Sequence, residues 1–400
     1  MRFALDAEQT AFGRSLDRMF AAADTPSAVR AWARGEHGPG RALWRRAADA
    51  GVFTLAAPGG LGGVGPLPVE VGVAFVEFGR HCVPGPLVET VAVTALLSRL
   101  AETGEAAPAK EWVPRVCAGR ARVTLAAPAR ADHGPRADRA AAPTGGPCAP
   151  AADAIFVATA GAEDAAPGPR PAPGHDPVPR SVDPARPYAL DADAADAVFV
   201  VTGGEDGAAP ELRLAPGHGP VLPSVDPARR LAVPAAGGER LAAGPAVRDA
   251  ASCARLWAAY ATAAQALGVG HALLDRTVAH ARRRVQFGTV IGSFQAVKHR
   301  LADALIGLEF ARPLLYGAAV ALAAGSPGAR AEVAAAKAAA CDAAYAAART
   351  ALQVHGAIGY TSAYELSLWL GKARALRQAW GSPADCRRDA LELPHELFHQ

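Results

Sequence analysis

The composition of the chain changes twice along its length, and this pattern constrains the fold more than any other feature. Two alanine-rich segments with apolar residues at helical spacing flank a middle segment in which proline and glycine are frequent. The helical pattern is clearest in residues 329–352, and the strand pattern in residues 197–202. We therefore predict an α+β fold in three parts: an N-terminal helical domain over residues 1–118, a central β-domain over 119–243 and a C-terminal helical bundle over 244–400.

The middle segment contains a tandem duplication. Residues 152–190 align without gaps on residues 195–233, a 43-residue offset, and both copies contain APGH and SVDPAR. A solenoid needs about three repeats to bury a continuous core, so two copies favour a duplication within one β-domain. We expect one copy to supply native strands and the other to be an extra hairpin or a disordered insertion.

Charge and cysteine usage exclude several classes of function. A formal net charge of +3 is too small to predict a nucleic-acid partner. Six cysteines without a CxxC pair predict a reduced, cytoplasmic protein rather than a disulfide scaffold or a metal site. The charged N-terminus has no apolar core typical of a secretion signal. The apolar stretch Leu256–Leu274 contains Thr262, Gln265 and His271, which favours a buried helix over a membrane span.

Two segments have the residue types that bind phosphates. GGLGGVG at residues 59–65 lies between helical patterns, so we interpret it as a helix end and a turn. The segment ARRRVQFGTVIGSFQAVKHRLAD at residues 281–303 has three arginines at a predicted helix end. These cations could simply complement the helix dipole, or they could form an arginine fork for a pyrophosphate. The residues alone leave both interpretations open.

The order of residues in three segments closely resembles the acyl-CoA dehydrogenase family. These segments are residues 281–303, LQVHGAIGYTSAYEL at 352–366, and the helical region at 42–80. The resemblance covers residues 1–125 and 245–390 well and the middle poorly. It implies a helical N-terminal domain, a small β-barrel-like domain and a four-helix bundle, with FAD lying between the β-domain, the bundle and the bundle of a neighbouring subunit.

The resemblance also implies an activity and partners. The family removes hydrogen from the α- and β-carbons of an acyl thioester, here acyl-CoA or a carrier-bound equivalent, with FAD as cofactor. A homo- or heterotetramer is expected, with electron-transfer flavoprotein as a candidate electron acceptor and no nucleic-acid or membrane partner. The carried-over cofactor positions are Arg284 for the pyrophosphate, Gln286 and Phe287 for the flavin, Gln295 for the adenosine side, and Gln353 and Gly356 for the neighbouring subunit's FAD, with Ala357 replacing a second glycine.

The proton acceptor of the family is missing from both of its known positions. Many members place a glutamate in a YEGT-like tetrad, which falls here on residues 379–382 and puts Trp380 at the glutamate. An indole donates one N–H and accepts no proton. Gly381 matches the glycine of the tetrad and Ser382 is close to its threonine, so we predict that Trp380 and Gly381 line the substrate pocket and that Ser382 contacts the cofactor. Trp380 itself is either a packing residue or a substrate gate.

Other relatives place the base on the first helix of the bundle. The corresponding position is near Ala258, and Ala254–Leu267 contains no carboxylate. The middle segment departs as well: LAAPARAD at residues 125–132 replaces a T-E-P tripeptide, and no tryptophan occurs between Trp112 and Trp257. The groups that would steady the flavin ring therefore have no assignment.

The resemblance and these departures support several hypotheses. The first is a subunit that lacks its own base and works in a heterotetramer with a related chain that keeps the glutamate. The alternatives are a stand-alone flavoenzyme with a displaced base, for which Glu365 is a candidate, and a scaffold that no longer binds FAD. A flavin monooxygenase on the same fold has no positive support in the sequence. The acyl group stays open.

Overall fold

A computed structural model describes residues 4–127, 187–203 and 209–391. In these ranges, helices precede and follow a small sheet region, so the fold is α+β as predicted. The strands form two small open sheets and a hairpin rather than a closed barrel within the described ranges. The described residues all fall in one compact unit, and most of the first repeat copy lies outside them.

Six helices form the N-terminal part: α1 (Ala7–Ala21), α2 (Thr25–Ala33), α3 (Gly38–Asp49), α4 (Pro68–Arg80), α5 (Leu87–Glu102) and α6 (Ala107–Cys117). Helix α5 is buried along most of its length, and its buried residues include the carboxylate of Glu89. The glycine-rich segment between α3 and α4 forms a tight turn. A Cβ on Gly63 would lie 1.9 Å from the Ala57 carbonyl oxygen, so the chain needs glycine there.

The sheet region begins where the composition changes. The strands are β1 (Val123–Ala126), β2 (Ala189–Leu190), β3 (Ala197–Thr202), β4 (Glu211–Leu214), β5 (His218–Leu222), β6 (Leu231–Pro234) and β7 (Glu239–Ala243). One sheet has the order β1-β3-β4-β7, with β1 parallel to β3, and the other has the order β2-β6-β5. The second repeat copy therefore supplies β3 to β6. Of the first copy, only residues 187–190 are described, and β2 is formed by the last two.

The C-terminal part contains α7 (Pro245–Arg283), α8 (Gln295–Ala323), α9 (Ala329–His355), α10 (Leu366–Gln378) and α11 (Pro383–Leu391). A short hairpin, β8 (Val285–Gln286) and β9 (Thr289–Val290), joins α7 to α8. Helix α7 packs against α4, α5, α8, α9 and α10. Its crossing with α4 is close, because a Cβ on Gly268 would lie 1.9 Å from the Val76 oxygen. The predicted buried helix at 256–274 is the centre of α7.

Helix α8 is long and apolar enough to cross a membrane by length and composition alone. Its inner face packs on α7 and α9 through buried residues such as Leu308 and Leu315. Its outer face exposes Ile306, Phe310 and Leu314, which recur every fourth residue and so form one apolar stripe. The helix therefore has a packed side and an uncovered apolar side.

Candidate functional site

The predicted cofactor residues begin at the C-terminal end of α7. Arg284 follows the last helical residue, and the hairpin β8–β9 starts directly after it. Phe287 and Gly288 form the two-residue turn with φ of +52° and +77°, the backbone of a type I′ hairpin turn. Glycine adopts this conformation freely, whereas phenylalanine does so at a cost. The turn holds the Phe287 ring out from the fold, with 94% of the residue exposed.

A cavity of about 280 Å³ lies beside this turn. Three of the predicted cofactor residues line it: Gln286, Phe287 and Gln353, which come from the hairpin and from the last turn of α9. This cavity is an open groove, and Phe294 and Arg300, which were not among the residues predicted from the sequence, also line it. The structure thus brings together residues from the two sequence segments that carry the resemblance.

Three further predicted residues flank the groove without lining the cavity. Arg284 is exposed beside the hairpin, and Gln295 is the first residue of α8. Gly356 ends α9 with φ +66° and ψ −143°, a backbone conformation that requires glycine. The groove and its flanks therefore present amide groups that donate and accept hydrogen bonds, arginine cations and an exposed aromatic ring.

Two histidines stack where the end of α7 meets the end of α9. The rings of His280 and His355 lie 4.0 Å apart, and His355 Nδ1 lies 2.8 Å from the Ala351 carbonyl oxygen. Burial lowers the pKa of both imidazoles. His280 lies four residues before Arg284, and His355 directly precedes Gly356. The lowered pKa favours the uncharged form of both rings, so the arginines are the main source of positive charge here. Neither histidine was predicted from the sequence as a site residue.

The other three predicted residues are placed elsewhere. Trp380, Gly381 and Ser382 form the linker between α10 and α11 and are not among the residues that line the groove. The Ser382 hydroxyl donates to Asp385 Oδ2 at 2.6 Å, and the Asp385 backbone N–H donates to the hydroxyl in return. Ser382 thus caps α11, which gives its side chain a structural partner. Its predicted contact with the cofactor stays a prediction.

The Trp380 side chain points into the interior. Its indole Nε1 donates a hydrogen bond to Glu89 Oε1 on α5 at 3.1 Å. The residue has φ +58°, followed by Gly381 at φ +110°. The Gly381 carbonyl accepts a hydrogen bond from the buried ammonium of Lys337 on α9 at 2.5 Å. The linker is therefore fixed from two sides, by α5 and by α9.

Glu89 belongs to a buried group of charges where the three parts of the chain meet. Arg229 lies 3.9 Å from Glu89, and Asp226 forms a buried ion pair of 3.1 Å with Lys372 on α10. Asp191 accepts from the Trp32 indole at 3.0 Å, and its burial raises the pKa of the carboxyl to about 7. Asp226 and Arg229 belong to the repeated SVDPAR sequence, so the described copy of this motif ties the sheet region to the helices.

The second base position of the family and the candidate base Glu365 lie in different surroundings. Ala258 is fully buried in α7, where a methyl group can accept no proton. Glu365 stands at the start of α10, half of its side chain is exposed, and its carboxylate pairs with Arg276 at 3.1 Å. An exposed carboxylate in an ion pair lacks the dry environment that raises basicity toward a carbon acid. Of the departing segment 125–132, only residues 125–127 are described, and residues 128–186 lie outside the described ranges.

A separate polar cluster lies between α1 and α4. Ligand atoms of Asp17, Glu77 and His81 lie within 4.8 Å of one another, a spacing that could hold a metal ion. His81 Nε2 is 2.8 Å from Asp17, and Arg80 is 3.9 Å from Glu77. Burial raises the pKa of Glu77 to about 7. Because a cation already stands beside the cluster, we interpret it as an ion-pair network that joins the two helices.

Sequence reasoning missed Glu89, Arg300 and the histidine pair. The sequence does contain a signal for Glu89, because it is the one acidic residue in the apolar run 87–97. If that run is a core helix, its carboxylate must be buried. The sequence contains no such signal for Arg300, because its position in the groove depends on how the hairpin leads into α8.

Comparisons with known proteins agree with this architecture. Residues 6–120 match the family model described as acyl-CoA dehydrogenase, N-terminal domain, and residues 235–387 match the one described as acyl-CoA dehydrogenase, C-terminal domain. The helices, the open sheets and the groove define a chain of this flavoprotein type. The chain belongs to the acyl-CoA dehydrogenase family, whose members bind FAD.

Individual relatives are similar over part or all of the chain. Acyl-CoA dehydrogenase IpdE2 of Mycolicibacterium smegmatis is 35% identical over 141 residues, which are 35% of this chain and 42% of that protein. The ChsE4–ChsE5 complex of Mycobacterium tuberculosis contains a chain with TM-score 0.72 and 25% identity, aligned over 98% of this chain and 100% of the other. A glutaryl-CoA dehydrogenase from M. smegmatis, in complex with FADH2, has TM-score 0.66 and 16% identity over 97% and 95% of the two chains, a likeness of fold.

Proposed function

We propose that this chain is a subunit of a heteromeric acyl-CoA dehydrogenase that helps to hold FAD and relies on a related partner chain for the catalytic glutamate. The observation that carries the proposal is that a tryptophan stands at position 380, where the family's glutamate would be. At this position Trp380 offers an N–H, and that N–H already donates to Glu89. Loss of a general base lowers a rate by about 10²- to 10⁴-fold, so a chain of this kind needs a partner to be useful.

The groove supports the cofactor part of the proposal. Arg284 and Arg300 would neutralise a pyrophosphate, and the amides of Gln286, Gln295 and Gln353 would bond to the adenosine and ribityl portions. Phe287 offers an exposed ring face for packing. The donor set therefore fits one edge of a dinucleotide. When bound, FAD accepts the hydride that leaves the β-carbon of the thioester.

The exposure of these side chains supports a shared site. The groove lies on the outside of the bundle, and Phe287 has almost no cover from its own chain. The apolar stripe Ile306, Phe310 and Leu314 on α8 is likewise uncovered. We propose that the bundle of a second chain covers both, which places the cofactor between subunits of a tetramer.

A related but different chain is the partner that we favour. The similarity to a chain of the ChsE4–ChsE5 complex, in which two names denote two chains, supports a heteromer. The substrate class is an acyl-CoA or carrier-bound acyl thioester, and electron-transfer flavoprotein is a candidate acceptor of the electrons. A cytoplasmic location is part of the proposal, supported by five free thiols among the described residues.

Co-expression with an acyl-CoA dehydrogenase-like homologue tests the proposal. We expect the two chains to purify together, the complex to oxidise an acyl-CoA, and a glutamate-to-glutamine change in the partner to abolish the oxidation. This chain alone should show no more than about 10⁻² of that rate. Ordinary turnover by the isolated chain would contradict the proposal.

The same preparation separates the alternatives. A stand-alone enzyme with Glu365 as base predicts that Glu365→Gln stops turnover by the isolated chain, whereas our account predicts an unchanged rate of the complex. If this chain is instead a scaffold that has lost FAD, the complex should contain only the flavin that the partner chain binds by itself. The exposed, ion-paired state of Glu365 disfavours the first of these.

A further inference from the structure

The Trp380 linker is held in a conformation that a tryptophan does not adopt freely. Its φ of +58° lies in the left-handed region, which is energetically unfavourable for residues with bulky side chains. Lys337, with no exposed surface, donates to the next carbonyl, that of Gly381. A strained conformation persists only where its surroundings fix it, and here the surroundings direct the indole toward α5.

The acceptor of the indole is unusual as well. Glu89 is 3% exposed, its Oε1 accepts from the indole, and its Oε2 has no hydrogen-bond partner among the described residues. Arg229, 3.9 Å away, is the cation paired with it. A buried carboxylate oxygen without a partner is costly to keep. Two costly features, a left-handed tryptophan and a half-satisfied carboxylate, therefore meet in one contact.

We propose that Trp380 and Glu89 form an internal plug that closes this chain's own acyl pocket to thioesters. The resemblance places the family's base at position 380, so the indole would fill the space from which a base faces the substrate, and its hydrogen bond to Glu89 holds it there. The plug confines thioester binding to the partner's pocket, while the groove around Gln286 and Gln353 stays free for the cofactor. This inference rests on the proposed function, because it explains why a base-lacking chain does not compete for substrate.

A glycine substitution opens the plug without new strain. Glycine adopts φ +58° readily, so Trp380→Gly removes the indole and leaves the linker conformation accessible. Free indole should then enter the space and raise the melting temperature of Trp380→Gly but not of the wild type. Indene, which has the same shape and no N–H, should bind about tenfold more weakly, because it offers no donor to Glu89. Adding Glu89→Leu to Trp380→Gly should abolish the difference between indole and indene.

Thioester binding gives the second readout. Calorimetry compares octanoyl-CoA with free CoA, so that the difference reports the acyl chain alone. We expect the wild type to bind the two equally and Trp380→Gly to bind octanoyl-CoA at least about tenfold more tightly than CoA, with indole competing.

The outcomes decide the proposal in either direction. Preferential binding of octanoyl-CoA by the wild type would overturn it, and this arm needs no variant to fold. A folded Trp380→Gly that binds neither indole nor the acyl chain would overturn it too. The indole test needs neither partner nor turnover, so a plug can be established even where co-expression shows no activity, and the two failures are distinguishable.

Discussion

At the scale of single residues, buried carboxylates dominate the junction of the three parts. Glu89, Asp191 and Asp226 are each at least 97% buried, and Arg229 and Lys372 are the cations beside two of them. The three acidic groups outnumber the two cations, so one proton would balance the group. Burial raises the pKa of Asp191 to about 7, which makes this carboxyl the candidate for that proton.

Asp191→Asn should change how stability depends on pH. Burial raises the pKa of Asp191 from 3.8 to about 7, so the folded state binds more protons than the unfolded state between these values. Its contribution to stability is complete below the lower value and is lost as pH rises toward 7, with a slope of up to about 1.4 kcal/mol per pH unit. Asparagine keeps the acceptor for Trp32 and tolerates the φ of +53° at this position.

We therefore expect Asp191→Asn to lower the pH dependence of the free energy of unfolding by the contribution of about one proton. We also expect this variant to be more stable than the wild type at pH 8. Urea unfolding at pH 5 and pH 8 measures both quantities. Glu77, whose pKa is also raised to about 7, should leave a residual slope. The exposed Asp49→Asn should behave as the wild type. An unchanged slope in Asp191→Asn would show that this carboxyl is already ionised in the fold.

At the scale of elements, α8 and the hairpin before it have two different faces. The inner face of α8 completes the bundle core through Leu308 and Leu315. The outer face combines Phe310, 73% exposed, with the hairpin's Phe287. A helix that is apolar on two sides needs a second partner in addition to its own core. We attribute the outer face to contact between subunits.

Phe310→Glu should disrupt assembly and leave the fold intact. Because the side chain is mostly exposed, its replacement should change the free energy of unfolding by no more than about 0.5 kcal/mol. A charge placed in an apolar contact should shift the assembly toward smaller species, which sedimentation velocity measures. Glu111→Arg on the exposed side of α6 is the matched control and should leave assembly unchanged. An intact tetramer carrying Phe310→Glu would remove α8 from the interface.

At the scale of the whole molecule, the sheet region is fixed to both helical parts by buried polar contacts. Lys372 of α10 reaches Asp226, and Trp32 of α2 reaches Asp191. Gly371 allows the approach, since a Cβ there would lie 3.0 Å from the Val225 oxygen. The SVDPAR copy at 224–229 therefore has a structural role, because it supplies the buried aspartate that pairs with Lys372.

Lys372→Met should strongly destabilise the protein. The change leaves Asp226 as an unpaired buried charge, which typically costs about 3–5 kcal/mol. The double variant Lys372→Met with Asp226→Asn should recover most of the loss, since both charges are then absent. Chemical unfolding of the three proteins measures this, with the exposed Lys298→Met as control. A loss that is equal in the single and double variants would mean that packing, not charge, dominates at this position.

The sequence predicted what depends on local pattern and on the order of residues in the resembling segments. Residues 197–202 form β3 and residues 329–352 lie within α9, because period and propensity decide such elements. The groove residues Gln286 and Gln353 came from the resemblance. The contact of Trp380 with Glu89 could not be predicted, because 291 positions separate the two residues and only packing brings them together. The sequence also predicts a strand at residues 154–159, which lie outside the described residues.

The visible absorption spectrum of the purified chain, co-expressed with its partner, tests the central claim most directly. The claim is that this chain contributes its arginine and glutamine side chains to an FAD site. We expect the bands of oxidised flavin in the complex. We expect a double variant, Arg284→Ala with Gln353→Ala, to assemble with the partner but to lose flavin from the complex. A complex whose flavin content is the same with and without these side chains would contradict the account.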